Sequence, residues 1–132
     1  SKSYQNTIPL FLPEKQLRKH INKIKTNLLE PGEPKDPDTS TVFQVWAAFA
    51  DTAETARMRQ EFENGIAWGE AKKQLFELVN GQLGLARGRY NELMDDPGHI
   101  ESELRKGAER AREHSVPLMQ KVREAVGISQ IS

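Results

Sequence analysis

The chain of 132 residues contains no cysteine, which excludes a disulfide framework and a thiolate metal site. Its three histidines, at positions 20, 99 and 114, fit neither an HxxxH nor an HExxH spacing, so no metal is expected. Glycine-rich phosphate loops and a nucleophile elbow are also missing. No apolar run approaches the roughly 20 residues of a membrane span. Because no signal peptide is visible either, a cytoplasmic protein without a membrane partner is expected.

Aromatic residues make up only 7% of the chain, against 29% charged and 36% hydrophobic residues, with a mean hydropathy of −0.70. This composition favours a helix-rich domain with one core and wide solvated faces. Neither strand alternation nor an internal repeat is present, so the predicted fold class is all-α, a bundle of about five helices.

The zero net charge conceals a gradient along the chain. Residues 1–30 carry six Lys or Arg against two Glu, whereas residues 31–65 carry three against seven acids. An uneven distribution of this kind permits a basic footprint for an anion without a basic isoelectric point. The basic residues of the first helix, Arg18, Lys19, Lys23 and Lys25, form either a solvated face or an edge for a phosphate-bearing partner.

Apolar spacing places the first three helices. The first starts near Pro13 and buries a stripe of Leu17, Ile21, Ile24 and Leu28. The proline-rich segment 30–38 then excludes regular structure. The second helix is capped by Thr39 or Ser40, and the third is capped by Thr52 and stops at Asn64-Gly65.

Two longer helices follow. The fourth spans about 68–94, and its three glycines, Gly81, Gly84 and Gly88, indicate a bend or the close approach of another helix. An aspartate of Asp95-Asp96 is expected to cap the fifth, which spans about 100–126. Pro117 predicts a kink, or two helices that meet near Ser115. The predicted core stripe of this region is Leu104, Ala108, Ala111, Leu118, Val122 and Val126.

Several motifs, in order, resemble the C-terminal region of bacterial tryptophanyl-tRNA synthetases along about nine-tenths of the chain. Ser1-Lys2-Ser3 matches the end of the class I KMSKS signature, so the chain is expected to begin inside that motif. The lysine-rich segment 20–26 is similar to a family helix that usually ends in Thr-Asp, where this chain has Asn27. The other matching stretches are Gly32–Thr39, Trp68-Gly69 with Lys72, and Gly107–Arg112.

The resemblance implies an ATP-dependent tryptophan–tRNA ligase that acts through tryptophanyl-adenylate, with ATP and Mg²⁺ as cofactors of a homodimeric parent enzyme. In this reading, residues 1–12 are the remnant of the KMSKS loop and its connector, and 13–132 are the helical domain. Lys2 becomes the catalytic residue, which stabilises charge on the ATP phosphates, and Ser1 and Ser3 join it in binding ATP. The Rossmann domain is expected upstream, so the chain alone is predicted to be inactive and to hold no cofactor.

The resemblance also implies that the helical part binds the anticodon region of tryptophan tRNA. By residue type, the candidate contacts are Lys72, Lys73, Arg87, Arg89, Arg105, Lys106, Arg110 and Arg112. Each could instead be solvated or paired with Glu at i±4, and Arg89 could be a buried pairing residue. Two other readings stay open: a stand-alone helical module that binds RNA or protein, and the C-terminal region of a tyrosyl-tRNA synthetase.

Overall fold

A computed structural model describes residues 8–128, and within them the chain forms five α-helices and no strand. The helices are α1 (Glu14–Asn22), α2 (Thr41–Phe49), α3 (Thr52–Glu63), α4 (Trp68–Asp95) and α5 (Pro97–Ala125). The predicted all-α class with five helices is therefore confirmed. No helix in this part is long and apolar enough to cross a bilayer. The chain divides into two compact units, Ser1–Arg89 and Tyr90–Ser132, while the boundary expected after residue 12 stays a prediction.

The core of the first unit is built from the apolar faces of α1 to α4. Aromatic rings fill its centre: Phe62 meets Phe43 edge-on at 5.5 Å between ring centroids and Trp68 at 5.6 Å. The predicted stripes of α1 and α2 supply Leu17, Ile21, Val42 and Trp46, all buried. The other buried apolar residues are Met58, Ala71, Leu75, Phe76 and Val79.

Helix α1 ends earlier than its apolar stripe suggests. Its C-cap is Lys23, so Ile24 is only half-buried and Leu28 lies beyond the helix with 97% of its surface exposed. The prediction that Leu28 belongs to the core is wrong. The helical spacing of apolar residues continues in the sequence beyond Asn22, where the chain leaves the helix.

Short polar side chains begin the helices where the sequence places them, with one correction. The Ser40 hydroxyl accepts from the Phe43 N–H at 3.4 Å, as expected of an N-cap. For α3 the cap is Asp51, whose carboxylate accepts from the Glu54 N–H at 2.8 Å, and Thr52 is the first helical residue. A carboxylate is also favoured at the positive end of the helix dipole. Asp96 caps α5 through the His99 N–H at 3.1 Å.

The irregular segment 30–37 packs against the end of α3. The Gly32 N–H donates to the Gly65 carbonyl at 2.8 Å, and the Lys35 N–H donates to the Phe62 carbonyl at 2.9 Å. The Lys35 side chain is 2% exposed, and its Nζ donates to the carbonyls of Glu30 and Glu33 at 2.8 and 2.9 Å. A buried ammonium group therefore fixes the shape of this loop.

The space around the three glycines of helix α4 is open. A Cβ placed on Gly81, Gly84 or Gly88 would meet no heavy atom within 4 Å. The close approach of another helix, one of the two explanations offered for these glycines, is therefore absent among the described residues.

Helix α5 is continuous through Pro117, so the alternative of two helices that meet near Ser115 is wrong. It also buries none of its residues: Leu104, Leu118 and Val122 are 68%, 61% and 43% exposed. The predicted core stripe has the right period but does not lie in a core. Periodicity identifies an amphipathic face, whereas burial needs a partner for that face.

Candidate nucleic-acid interface

The catalytic and ATP-binding candidates Ser1, Lys2 and Ser3 lie outside the described residues. The geometry therefore concerns the eight basic residues expected to contact tRNA. They fall into three groups, which differ in what already occupies their donors.

Lys72 and Arg87 make hydrogen bonds that hold the first unit together. Lys72 Nζ donates to the carbonyls of Asn22 and Ile24 at 3.0 and 2.7 Å, so it satisfies acceptors at the end of α1. Burial lowers the pKa of Lys72. Arg87 donates to the Leu12 carbonyl at 3.0 Å and to Asn80 Oδ1 at 2.6 Å, which ties the N-terminal connector to α4.

Lys73, Arg105 and Lys106 form exposed ion pairs along their own helices. The nitrogen–oxygen distances are 3.8 Å for Lys73–Glu70, 2.6 Å for Arg105–Glu101 and 2.7 Å for Lys106–Glu103. Lys106 is the main reason that the pKa of the Glu103 carboxyl is lowered. Exposed pairs of this type contribute little to stability, so their cations remain able to exchange a carboxylate for another anion.

Arg89, Arg110 and Arg112 are exposed. Burial of Arg89 is therefore wrong, although this residue has interactions of its own. Arg112 lies two turns after Arg105 on α5, and the two line a shallow surface hollow with Glu101 and Glu109. In the described part of the chain, no carboxylate lies within ion-pair distance of Arg110 or Arg112.

The basic residues of α1 are exposed, as both sequence-based interpretations require. Lys15, Lys19, Lys23 and Lys25 all lie at the surface, and none has a carboxylate within 4 Å in the range 8–128. Arg18 differs, because its guanidinium lies 3.9 Å from the centroid of the Phe76 ring. A cation over an aromatic face is attracted by the ring quadrupole, so Arg18 helps to join α1 to α4.

Asn27, which departs from the family pattern, has a structural role. Its side-chain oxygen accepts from the Leu29 N–H at 3.1 Å and from Trp68 Nε1 at 3.2 Å. An aspartate offers the same acceptor, so the substitution preserves the contact. The Trp68-Gly69 element with Lys72 is explained in the same way, since Trp68 and Lys72 both hold the segment after α1.

The sequence did not reveal the structural functions of Lys72, Arg87 and Lys35. Lys72 and Arg87 donate to backbone carbonyls of segments that are distant from them in sequence. Lys35 donates to carbonyls within its own loop. No residue-type pattern marks such contacts, because a carbonyl acceptor is present at every position. A single lysine among three prolines, at position 35, was the only local signal.

Known proteins similar to the chain point to one family. The tryptophan–tRNA ligase of Neisseria meningitidis is 51% identical over 128 residues, which cover 97% of this chain and 38% of that protein. That of Pseudomonas aeruginosa is 49% identical over 131 residues, or 99% of this chain and 29% of that protein. The chain thus spans about a third of the length of these relatives. No protein-family profile matches it.

Solved structures agree. The crystal structure of tryptophanyl-tRNA synthetase from Campylobacter jejuni matches 96% of this chain and 41% of its own, with a TM-score of 0.86 and 39% identity. A second structure of that enzyme, complexed with ADP and tryptophan, gives a TM-score of 0.87. The resemblance found in the sequence is therefore confirmed: by sequence and by fold, nearly the whole chain is similar to one part of tryptophanyl-tRNA synthetases.

Proposed function

We propose that the chain is the helical C-terminal, tRNA-binding part of a tryptophan–tRNA ligase. The parent enzyme would join tryptophan to its tRNA through a tryptophanyl-adenylate at the expense of ATP, in the cytoplasm and as a homodimer. The observation that supports this proposal is the 49–51% identity to two such ligases over 97–99% of the chain. A helical fold shared with a solved enzyme of the same family supports it further.

In the parent enzyme, Lys2 would stabilise the negative charge that develops on the ATP phosphates as pyrophosphate leaves, with Ser1 and Ser3 beside it. Such electrostatic stabilisation is most effective in a closed site from which water is excluded. In the parent enzyme, Mg²⁺ would accompany ATP and would be held largely by the ATP phosphates and water. No group of three or more acidic or histidine side chains in residues 8–128 could hold a metal ion.

The eight basic candidates for tRNA binding differ in whether their side-chain donors are already engaged in other contacts. Arg110 and Arg112 have donors available, and Lys73, Arg105 and Lys106 can exchange weak surface carboxylates for phosphates. Lys72 and Arg87 would have to give up hydrogen bonds to partly buried carbonyls, so their contribution to binding is indirect, through the fold. Arg89, exposed on α4, completes the set.

The test is binding of the purified chain to tryptophan tRNA and to the same tRNA with a replaced anticodon, across a salt series. The proposal expects tighter binding to the natural anticodon at every salt concentration. Weak binding that ignores the anticodon and disappears with added salt would contradict it, since phosphate attraction alone behaves in this way.

A further inference from the structure

Helix α1 presents a row of lysines on the side opposite its buried face. Leu17 and Ile21 are 1% and 0% exposed and fix the inward direction of the helix. At about 100° per residue, Lys15, Lys19 and Lys23 fall on the outward side, one after another at roughly 6 Å intervals along the axis. All three are exposed. The row continues into Lys25, just beyond the helix.

Stability of the helix does not explain this row. Like charges at i,i+4 destabilise a helix, and α1 has only nine residues and no side-chain cap at its N-terminus. Cations near the C-terminus are favoured by the helix dipole, which accounts for Lys19 and Lys23. Lys15, however, lies in the first turn, where the dipole opposes a positive charge. A nearby polyanion would remove both costs.

The row also differs from the basic residues of α3 and of the start of α4. Arg57 pairs with Glu61, Arg59 with Asp38, and Lys73 with Glu70. Along α1, the only acid is Glu14, and no ion pair with any described carboxylate forms. The lysines are therefore available to an external anion without the loss of an internal contact.

We propose that the outward face of α1, formed by Lys15, Lys19 and Lys23, binds the phosphate backbone of the tRNA. This inference rests on the proposed function and adds a contact surface outside the eight candidate residues. Evenly spaced, mobile ammonium groups suit a chain of phosphates, each of which they can meet as a point charge. A lipid surface fits less well, because the apolar residues of α1 are already buried in the core.

The proposal is tested with Lys15→Gln/Lys19→Gln, compared with Lys121→Gln/Arg123→Gln as a control. Lys23 is left intact because it is the C-cap of α1. Both variants lose two exposed positive charges. For the α1 variant, we expect the slope of log K against log salt to become shallower by about 1.4–1.8, or roughly 0.7–0.9 for each lost phosphate contact. The control should keep the slope of the unchanged chain.

Equal slopes for the two variants, with helix content and thermal unfolding unchanged, would overturn the inference. Failure of the unchanged chain to bind tryptophan tRNA at all would instead contradict the proposed function. The two failures are therefore distinguishable.

A measurement without substitution gives an independent answer. Lysine acetylation of the unchanged chain is mapped with tRNA present, with polyglutamate present and with neither. The proposal expects tRNA to protect Lys15, Lys19 and Lys23 while Lys121 stays reactive. Protection by polyglutamate but not by tRNA would overturn it and assign the face to an acidic protein.

Discussion

Gly65 lies where the end of α3 meets the segment that follows α1. Its φ is +86°, in the left-handed region that disfavours any residue with a Cβ. A Cβ at this position would also lie 2.4 Å from the carbonyl carbon of Gly32. Two independent constraints, conformation and space, thus require glycine, and through Gly65 they set the distance between the loop and α3.

The change Gly65→Ala is expected to lower the free energy of unfolding by at least about 2 kcal/mol, because it adds left-handed strain to a backbone clash. Urea unfolding followed by circular dichroism measures the loss. Gly81→Ala is the matched control, since it introduces the same methyl group into open space within α4. It should raise stability by about 0.5–1 kcal/mol. A neutral Gly65→Ala would show that the loop can move away from α3.

Asp38 carries the pH dependence of the same region. The Arg59 guanidinium, hydrogen-bonded at 2.7 Å, lowers the pKa of Asp38 below its ordinary value of 3.8. A carboxyl group with a lowered folded-state pKa stabilises the protein fully above its unfolded pKa, and this contribution is lost as pH falls through the folded value.

Asp38→Asn should therefore lower the urea midpoint by the same small amount at about pH 7 and pH 5, and by less near pH 2.5. The same substitution in an Arg59→Gln background should show no such dependence. A midpoint difference that persists unchanged at the lowest pH would show that the charge of Asp38 is not the cause of the effect.

At the scale of elements, α3 and α5 show what an amphipathic pattern can and cannot establish. Met58 and Phe62 of α3 are 1% and 0% exposed, because α2 and α4 supply matching faces within one unit. Leu118 of α5 follows the same period and remains 61% exposed. The existence, order and type of all five helices could be predicted from the sequence. That α5 leaves its apolar face exposed could not be predicted.

Phe62→Ala is expected to cost about 3–5 kcal/mol, since it removes a ring that contacts both Phe43 and Trp68. Leu118→Ala should change stability by no more than about 0.5 kcal/mol, because the Leu118 side chain stays largely exposed to solvent in the folded protein. Chemical unfolding of both variants measures the contrast. A cost for Leu118→Ala comparable to that of Phe62→Ala would mean that α5 is covered in solution.

The basic residues also have some properties that the sequence predicts and others that it does not. Their number and position are evident from the sequence, and the exposure of the α1 lysines follows from the period of Leu17 and Ile21. The hydrogen bonds from Lys72 Nζ to the carbonyls of Asn22 and Ile24 could not be predicted from the sequence. They depend on a backbone path some 50 residues away in sequence, as the separation of the partners shows. Residue type thus identifies candidates for a site, and tertiary contacts decide which of them are available.

For the whole molecule, the relation to longer ligases leads to a prediction about activity. The chain spans 38% and 29% of two relatives, and every buried side-chain nitrogen or oxygen in residues 8–128 already has a hydrogen-bond partner. The described core therefore offers no unsatisfied polar group to a substrate. Lys2, the catalytic candidate, would need a closed pocket supplied by other parts of the parent enzyme.

We therefore expect the purified 132-residue chain to show no tryptophan-dependent exchange between ATP and pyrophosphate. The chain should give a measurable signal when it is joined to the part of a related ligase that precedes the matched region. Lys2→Ala in that joined protein should reduce the exchange rate by a factor of about 10²–10³, as loss of a charge-stabilising donor does elsewhere. Exchange by the chain alone would show that adenylate formation needs no Rossmann domain. A joined protein that is active but indifferent to Lys2→Ala would remove Lys2 from the catalytic site, while the assignment of the helical part to tRNA would stand on its own binding data.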